Sequence, residues 1–388
     1  TPPPAQDKPD LTDVSVDEII EKIEEMENKT LSSAILNSVQ GVSPLVSREI
    51  AHRCGGDIPV WDIDDRQKEL LKNELEALQT VAKTSSGTPY IIKDEGGCYY
   101  TFTTGGGIDI FKVKSYDDIT VEKMKTVYWC GNDGIIKDIW APEIHKIGDK
   151  WYIIACGVFD KSVVEKGKMP NATEYTEHDD YYRYGFVLES KTEDIMGEYE
   201  FKGYIAPDGM NNIDGTYLQK DGKLYYVCSA YLNVAHQCIY MTEMENPYTL
   251  KTDENGDHNS VMLSQPEYLW EKRGWSVNEG PAVLYKDDNI FLVYSASGFS
   301  SGGYCMGMLT FDGGDIMNKD NWSKSRFKVF GDQPLKKIYN AGHCSFLYRE
   351  SGETIMVYHA TRTNDFNKSP RLTYIKPIEF EGNKPIFS

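Results

Sequence analysis

One pattern returns five times along this sequence, and it limits the possible folds more than any other feature. The stretches are GTPYIIKDEGGCYYTFTT from Gly87, WAPEIHKIGDKWYIIACG from Trp140, DGTYLQKDGKLYYVCSA from Asp214, EGPAVLYKDDNIFLVYSAS from Glu279 and GHCSFLYRESGETIMVYHA from Gly342. Each opens on a small or polar head and runs into an apolar strand. A charged Gly/Asp/Asn turn follows, and the chain returns as an aromatic-rich strand. Successive heads lie about 50 to 75 residues apart, room for roughly four short strands per unit. A β-sandwich does not return the same hairpin at this period. The expected fold is all-β, a five-bladed β-propeller over residues 87–388, preceded by an N-terminal α-helical extension over 1–86.

The extension reads differently. Thr1 to Pro9 is proline-rich and polar, the composition of a disordered start. Ser15 and Glu18 are spaced as a capping box, and Val16, Ile19, Ile20, Ile23 and Met26 follow at helical intervals. Asp64 or Asp65 caps a second predicted helix with Leu70, Leu71, Leu75, Leu78 and Val81 on one face. Such short amphipathic helices need a surface to pack on. They read as an extension docked on the main domain, with a propeptide-like cover or a partner-binding element as the alternatives.

Composition narrows the function. Acidic residues outnumber basic ones 60 to 41, giving a net charge of −19. That surface repels phosphate backbones and anionic lipid, so neither nucleic acid nor membrane is an expected partner. No apolar run is long enough to span a bilayer, and no signal-peptide pattern stands at Thr1. The 8 cysteines form no CxxC pair and have no zinc spacing. Cys156, Cys228 and Cys305 sit inside apolar runs and read as buried thiols, with a Cys228–Cys238 hairpin disulfide as the alternative. Sequons at Asn28, Asn171, Asn321 and Asn367 suit an extracellular, secreted protein, although chance supplies nearly as many.

In a propeller the innermost strand of each blade lines the central channel, so the repeat heads converge on the axis. Those heads are Thr88, the Trp140-Ala141-Pro142-Glu143 set, Asp214, Glu279 and His343. Alone, Asp214 would be a turn or cap residue and Glu279 a solvated loop residue. Recurring at the same repeat phase, they become a carboxylate pair at the mouth of a rigid funnel. Such a pair suits acid/base chemistry on a neutral ligand, as glycoside hydrolysis requires.

These residues carry a family resemblance. WAPEIH with KWYI, IDGTYLQKDGKLYYV, VNEGPAVL, AGHCSF with VYHATR, and the closing PRLTYIKPIEFEGNKPIF together resemble glycoside hydrolase family 43, whose five-bladed propellers act on arabinose- and xylose-containing glycans. The stretch from MTEMENPYTL through VMLSQPEYLWE to YCMGMLT resembles the exo-acting α-L-arabinofuranosidase branch. The resemblance implies an inverting glycosidase that releases a terminal sugar, α-L-arabinofuranose or else xylose, from a plant-type polysaccharide or oligosaccharide. It makes Glu279 the general acid and Asp214 the neighbour that orients it and raises its pKa. Arg371 would hold Asp214 or sugar hydroxyls, and Trp140 would wall the sugar ring. Glu143 would line the pocket or bond to backbone between blades. His343 would be a structural histidine or would help hold a hydrated calcium or sodium ion; no other cofactor is implied.

One position departs from the pattern. The family's general base is an aspartate before the proline of the first repeat, where this chain has Gly87-Thr88-Pro89. A threonine hydroxyl cannot take a proton from water at neutral pH, and losing a positioned base typically forfeits ~10²–10⁴ in rate. A substitute carboxylate is one resolution, with Asp109, Asp138 and the extension's Asp62, Asp64 and Asp65 as candidates. An unusual catalytic route is another, and a carbohydrate-binding pseudoenzyme on the same propeller is the third. The acidic segment from Phe159 to Tyr182 reads as a solvated loop rather than a metal site. Thr104-Gly105-Gly106-Gly107 lacks the Lys-Ser/Thr of a phosphate loop.

Overall fold

The structure is a computed structural model and describes residues 8, 14–39, 44–84, 90–94, 96–103, 106–115, 121–131, 133–160, 181–233, 236–349, 351–365 and 371–387. The chain divides into two compact units, residues 1–84 and 85–388.

The first unit is helical. The Ser15–Glu18 capping box forms as the sequence predicts, with Ser15 Oγ accepting from the Glu18 amide at 3.2 Å and Glu18 Oε2 from the Ser15 amide at 2.9 Å. It starts α1 (Val16–Glu24), whose Val16, Ile19 and Ile23 are buried. Two helices not anticipated from the sequence follow, α2 (Leu31–Ser38) and α3 (Pro44–Arg53). Both are short, and the serines of α2 blur its period. The last, α4 (Asp65–Thr84), buries Leu71 and Leu75 among Ile19, Ile23, Ile35, Ile50 and Cys54, while Leu70 stays exposed. Leu78 and Val81 lie outside the described side chains. Asp64 closes the start of α4 by accepting from the Gln67 amide at 2.8 Å.

The second unit is built from antiparallel meanders. The first is β1 (Tyr90–Asp94), β2 (Gly97–Thr103), β3 (Gly107–Val113) and β4 (Val121–Trp129); the second is β5 (Ile135–Ile147), β6 (Lys150–Asp160), β7 (Tyr181–Ser190) and β8 (Tyr199–Ile205). A nine-stranded sheet contains β9 (Asn212–Lys220), β10 (Lys223–Asn233), β11 (His236–Asn246), β12 (Thr249–Leu250), β13 (Val261–Ser264), β14 (Ser276–Lys286), β15 (Asn289–Ala296), β16 (Cys305–Phe311) and β17 (Trp322–Lys324). It is two meanders joined where β11 and β14 pair in parallel at His236–Ser276 and Gln237–Val277. The last meander is β18 (Tyr339–Tyr348), β19 (Thr354–Thr361), β20 (Leu372–Glu381) and β21 (Lys384–Ile386).

Successive meanders pack face to face, which is why strands such as β6 are buried on both sides. Tyr99, Ile108 and Ile110 pack on Ile153 and Phe186; Tyr152 and Ile154 on Tyr226 and Cys228; Val227 and Met241 on Leu292; Val293 and Met308 on Met356 and Tyr358. Leu347, Ile355 and Val357 of the last meander pack back onto Ile91, Tyr100 and Phe111 of the first. The opening strands also touch in cyclic order, β1 to β5 to β9 to β14 to β18 and back to β1.

All 8 cysteines are free. Register places Cys228 opposite Tyr240 and Cys238 opposite Ala230, so the alternative Cys228–Cys238 disulfide is not formed. Among the described residues no helix is long and apolar enough to cross a membrane.

Candidate active site

The site is made by an irregularity that recurs in four of the opening strands. In β5 the pairing steps from Trp140–Cys156 to Glu143–Ile154, so three residues face two. The same step occurs in β9 (Ile213 to Thr216 against Ser229 to Val227), β14 (Glu279 to Ala282 against Ser295 to Val293) and β18 (Gly342 to Ser345 against His359 to Val357). One residue per step is left-handed: Ala141 at φ 47°, Asp214 at φ 55°, Gly280 at φ 53° and His343 at φ 47°. A bulge bends its strand and re-aims side chains, and here the bulges of β9, β14 and β18 bring Asp214, Gly280 and His343 together. The register also corrects the expectation of a shared phase. Asp214 and His343 occupy the left-handed position, whereas Glu279 stands one residue before it.

Glu279 is held at both oxygens. Tyr304 Oη donates to Oε1 at 2.7 Å and Gln237 Nε2 to Oε2 at 3.1 Å. Gln237 is fixed by Ser229 Oγ at 2.9 Å, and that hydroxyl donates to the Asn278 carbonyl at 2.7 Å. Asp214 is buried, and its Oδ2 accepts the Gly280 amide at 3.0 Å, so the left-handed glycine ties the two carboxylates together. Burial pushes both carboxyls up to about 7, and the Asp214 charge is the next largest cause for Glu279. The Asp214 charge therefore favours the protonated form of Glu279. His343 Nδ1 stands 3.9 Å from Asp214 Oδ2, and burial lowers its pKa to about 4, leaving the ring neutral.

The other expected residues gather around this pair. Arg371 Nη1 contacts His359 Nε2 at 3.4 Å, and that ring stacks on Tyr304 with centroids 5.6 Å apart. The Arg371 charge also acts on Asp214, favouring its ionised form. Trp140 is 44% exposed, and the Arg183 guanidinium lies 3.5 Å from its ring centre. Arg183 also bonds the Asp138 carbonyl at 3.2 Å and pairs with its carboxylate at 3.6 Å. Glu143 is buried, and its side chain bonds His145 Nε2 at 2.9 Å rather than backbone. Both line a cavity of about 460 Å³ with Tyr90, Tyr217, Tyr285 and Tyr348.

Thr88 lies outside the described residues, as do residues 161–180 of the acidic loop and Thr104-Gly105. Asp109 is buried on β3 and accepts from Thr126 Oγ1 at 2.6 Å, which places it outside the bulge cluster. Asp138 sits on β5 two residues before Trp140, with φ 54°. Among the described residues no group of three or more His, Cys, Asp or Glu is arranged to hold a metal ion.

Sequence reasoning missed Tyr304, Gln237, Ser229 and Arg183. Each comes from a second or third strand or the turn beside it, where no repeat phase marks it. Only the YCMGML motif, which begins at Tyr304, carried a trace.

Three comparisons bear on this constellation. The family model "Glycosyl hydrolases family 43" matches residues 78–385. A second model, "NFACT N-terminal and middle domains", matches residues 1–127, less than half the chain, and assigns no family to it. The chain is 32% identical over 301 residues to an extracellular exo-α-(1→5)-L-arabinofuranosidase of Streptomyces chartreusis, covering 73% of this chain and 82% of that protein. It is 29% identical over 314 residues to α-L-arabinofuranosidase B of Pyricularia oryzae, covering 76% of this chain but only 59% of that longer protein. A crystal structure of an α-L-arabinofuranosidase from Lactobacillus brevis superimposes with a TM-score of 0.67 at 30% identity, over 78% of this chain and 94% of that one. The acid-bearing bulges lie within the matched span, and the chain belongs to glycosyl hydrolase family 43.

Proposed function

We propose that this chain is an exo-acting, inverting α-L-arabinofuranosidase that removes terminal arabinofuranose from arabinose-containing glycans. The observation that carries the reading is Glu279, held by Tyr304 and Gln237 beside a buried Asp214. Such a carboxyl stays protonated toward neutral pH and protonates the departing glycosidic oxygen. Tyr304 and Gln237 then receive the carboxylate that forms, so their bonds strengthen as the proton leaves. Arg371 and Trp140 border the sugar. The names of the relatives support arabinofuranose over xylose, and the extracellular relative supports secretion.

The architecture proposed is a five-bladed propeller over 87–388 with a separate helical extension over 1–86. The cyclic order of the opening strands and the seating of the last meander on the first support it.

Water activation is assigned to a carboxylate other than position 88. Asp138 is the choice, since Arg183 links it to Trp140 and Arg183 is among the charges that act on Asp214. The decisive experiment is incubation with α-1,5-linked arabino-oligosaccharides while following arabinose release and its first anomer by NMR. Release of the inverted anomer, abolished in Glu279→Gln, is expected. Saccharide binding without turnover would instead establish a pseudoenzyme, and a retained anomer would refute the two-carboxylate inverting scheme.

A further inference from the structure

The hairpin that carries Glu279 also carries two aromatic side chains that the proposed reaction does not use. Trp275 immediately precedes β14 and is 64% exposed; Phe299 follows β15 and is 45% exposed. Glu279 stands opposite Ser295 in this hairpin. Each aromatic therefore lies four residues from that rung, at most ~13 Å along an extended chain rising ~3.3 Å per residue. Both belong to the end of the hairpin that holds the bulge.

Their placement is built rather than incidental. The amides of Trp275 and Gly298 both donate to the Arg273 carbonyl, each at 2.9 Å. The Trp275 ring fills the space that a side chain at position 298 would take, since a Cβ there would stand 2.7 Å from Trp275 Cδ1. Beside it, the Arg371 guanidinium lies 5.4 Å from the Phe299 ring centre. Arg371 reaches His359, which stacks on Tyr304, the donor to Glu279. A continuous series of side chains thus runs from the acid to Phe299, and Trp275 packs over Gly298, the residue next to it in the chain.

Singly exposed apolar residues are ordinary on protein surfaces. These two share one hairpin end with the acid, and Phe299 is joined to it through Arg371. The face of an aromatic ring is electron-rich, and the C–H groups of a sugar are weakly positive, so ring-on-ring contact is favourable and needs no charge. The general acid protonates the leaving oxygen, so it stands at the scissile bond and the first sugar of the leaving group lies beside it.

We infer that Trp275 and Phe299 form a platform for the leaving saccharide. The ligand is a neutral chain of pentose units, with more than one ring beyond the scissile bond. This deepens the arabinofuranosidase reading and rests on it.

The test measures binding and turnover separately. Calorimetric titration of Glu279→Gln with α-1,5-arabinotriose and with free arabinose gives the affinity ratio between them. Adding Trp275→Ala, or Phe299→Ala, should shrink the preference for the trisaccharide by about three- to tenfold, the range of an aromatic contact. Trp275→Phe should restore most of it. Gly298→Ala, which displaces the indole without deleting it, should act in the same direction as Trp275→Ala. A trisaccharide preference that survives all three disruptive changes overturns the platform, as does failure of Glu279→Gln to bind the trisaccharide. Wild-type turnover of the trisaccharide tests the enzyme reading on its own. Binding that depends on Trp275 without any turnover would uphold the platform and refute the arabinofuranosidase; turnover with binding indifferent to Trp275 would do the reverse.

Discussion

Replacing Asp214 with Asn separates charge from shape at the centre of the site. Residue 214 sits at φ 55°, and Asn tolerates this left-handed conformation as well as Asp does. The Asn side-chain oxygen can still accept the Gly280 amide that Oδ2 accepts at 3.0 Å. What disappears is a buried negative charge that, second to burial itself, helps raise the Glu279 pKa to about 7. A like charge within ~4–6 Å moves a carboxyl by ~1–3 pH units, so its loss should carry the alkaline limb of kcat/KM down by about that much. Activity should persist in acid and fail well below neutrality. The stability effect has the opposite sense. Asp214 has a folded pKa of about 7, above its unfolded value, so ionising it costs stability as pH rises toward 7. Asp214→Asn should therefore melt higher than wild type at neutral pH, with the gain vanishing near pH 4. Initial rates on a chromogenic arabinofuranoside across pH, with melting curves at both ends, read both effects. An alkaline limb that stays in place or moves up would refute the charge coupling.

Four further substitutions extend these tests. Tyr304→Phe removes the 2.7 Å donor to Glu279. A hydrogen bond to a charged group is worth ~1.5–3 kcal/mol, so the alkaline limb should rise by about one unit or more while kcat at the optimum falls; pH-rate profiles check it. Asp138→Asn should lower turnover by ~10²–10⁴ and recover part of it with added azide or formate, whereas Thr88→Asp should add little. A large gain from Thr88→Asp would remove Asp138 from the base role. Glu271 is fully buried, paired with Lys324 at 2.8 Å, and accepts from Asn278 at 2.9 Å and Tyr294 at 3.0 Å. Glu271→Ala strands the Lys324 charge and should cost ~3–5 kcal/mol in denaturant unfolding.

The repeat was legible because turn chemistry and strand hydrophobicity are local and recur five times. Glu279, Asp214, Trp140 and His343 were legible for the same reason, standing at the heads of those repeats. The one-residue offset of Glu279 was not, because it depends on which backbone residue turns left-handed. At that position Gly280 favours the turn on its own, whereas Ala141 is forced into it by its surroundings. Tyr304, Gln237 and Arg183 act across strands, and no spacing in one strand shows which residue of another will meet it. In the helical unit, α1 and α4 showed through a cap and a clear apolar stripe. The brief α2, LSSAILNS, has no side-chain cap from Thr30 and left no comparable signal.

The bulges also bear on the order of events during folding. Asp214, Glu279, His343 and Glu143 belong to different meanders, and Arg371 stands beside β20 near the end of the chain. Each meander can form its own hairpins from contacts close in sequence, yet the acid pair exists only once distant meanders have docked. Contacts of that range are slow to form. On dilution from denaturant, strand dichroism should therefore return first and catalysis should lag behind it. The reaction itself becomes a clock for closure, started by local hairpins and stopped when the last meander seats against the first.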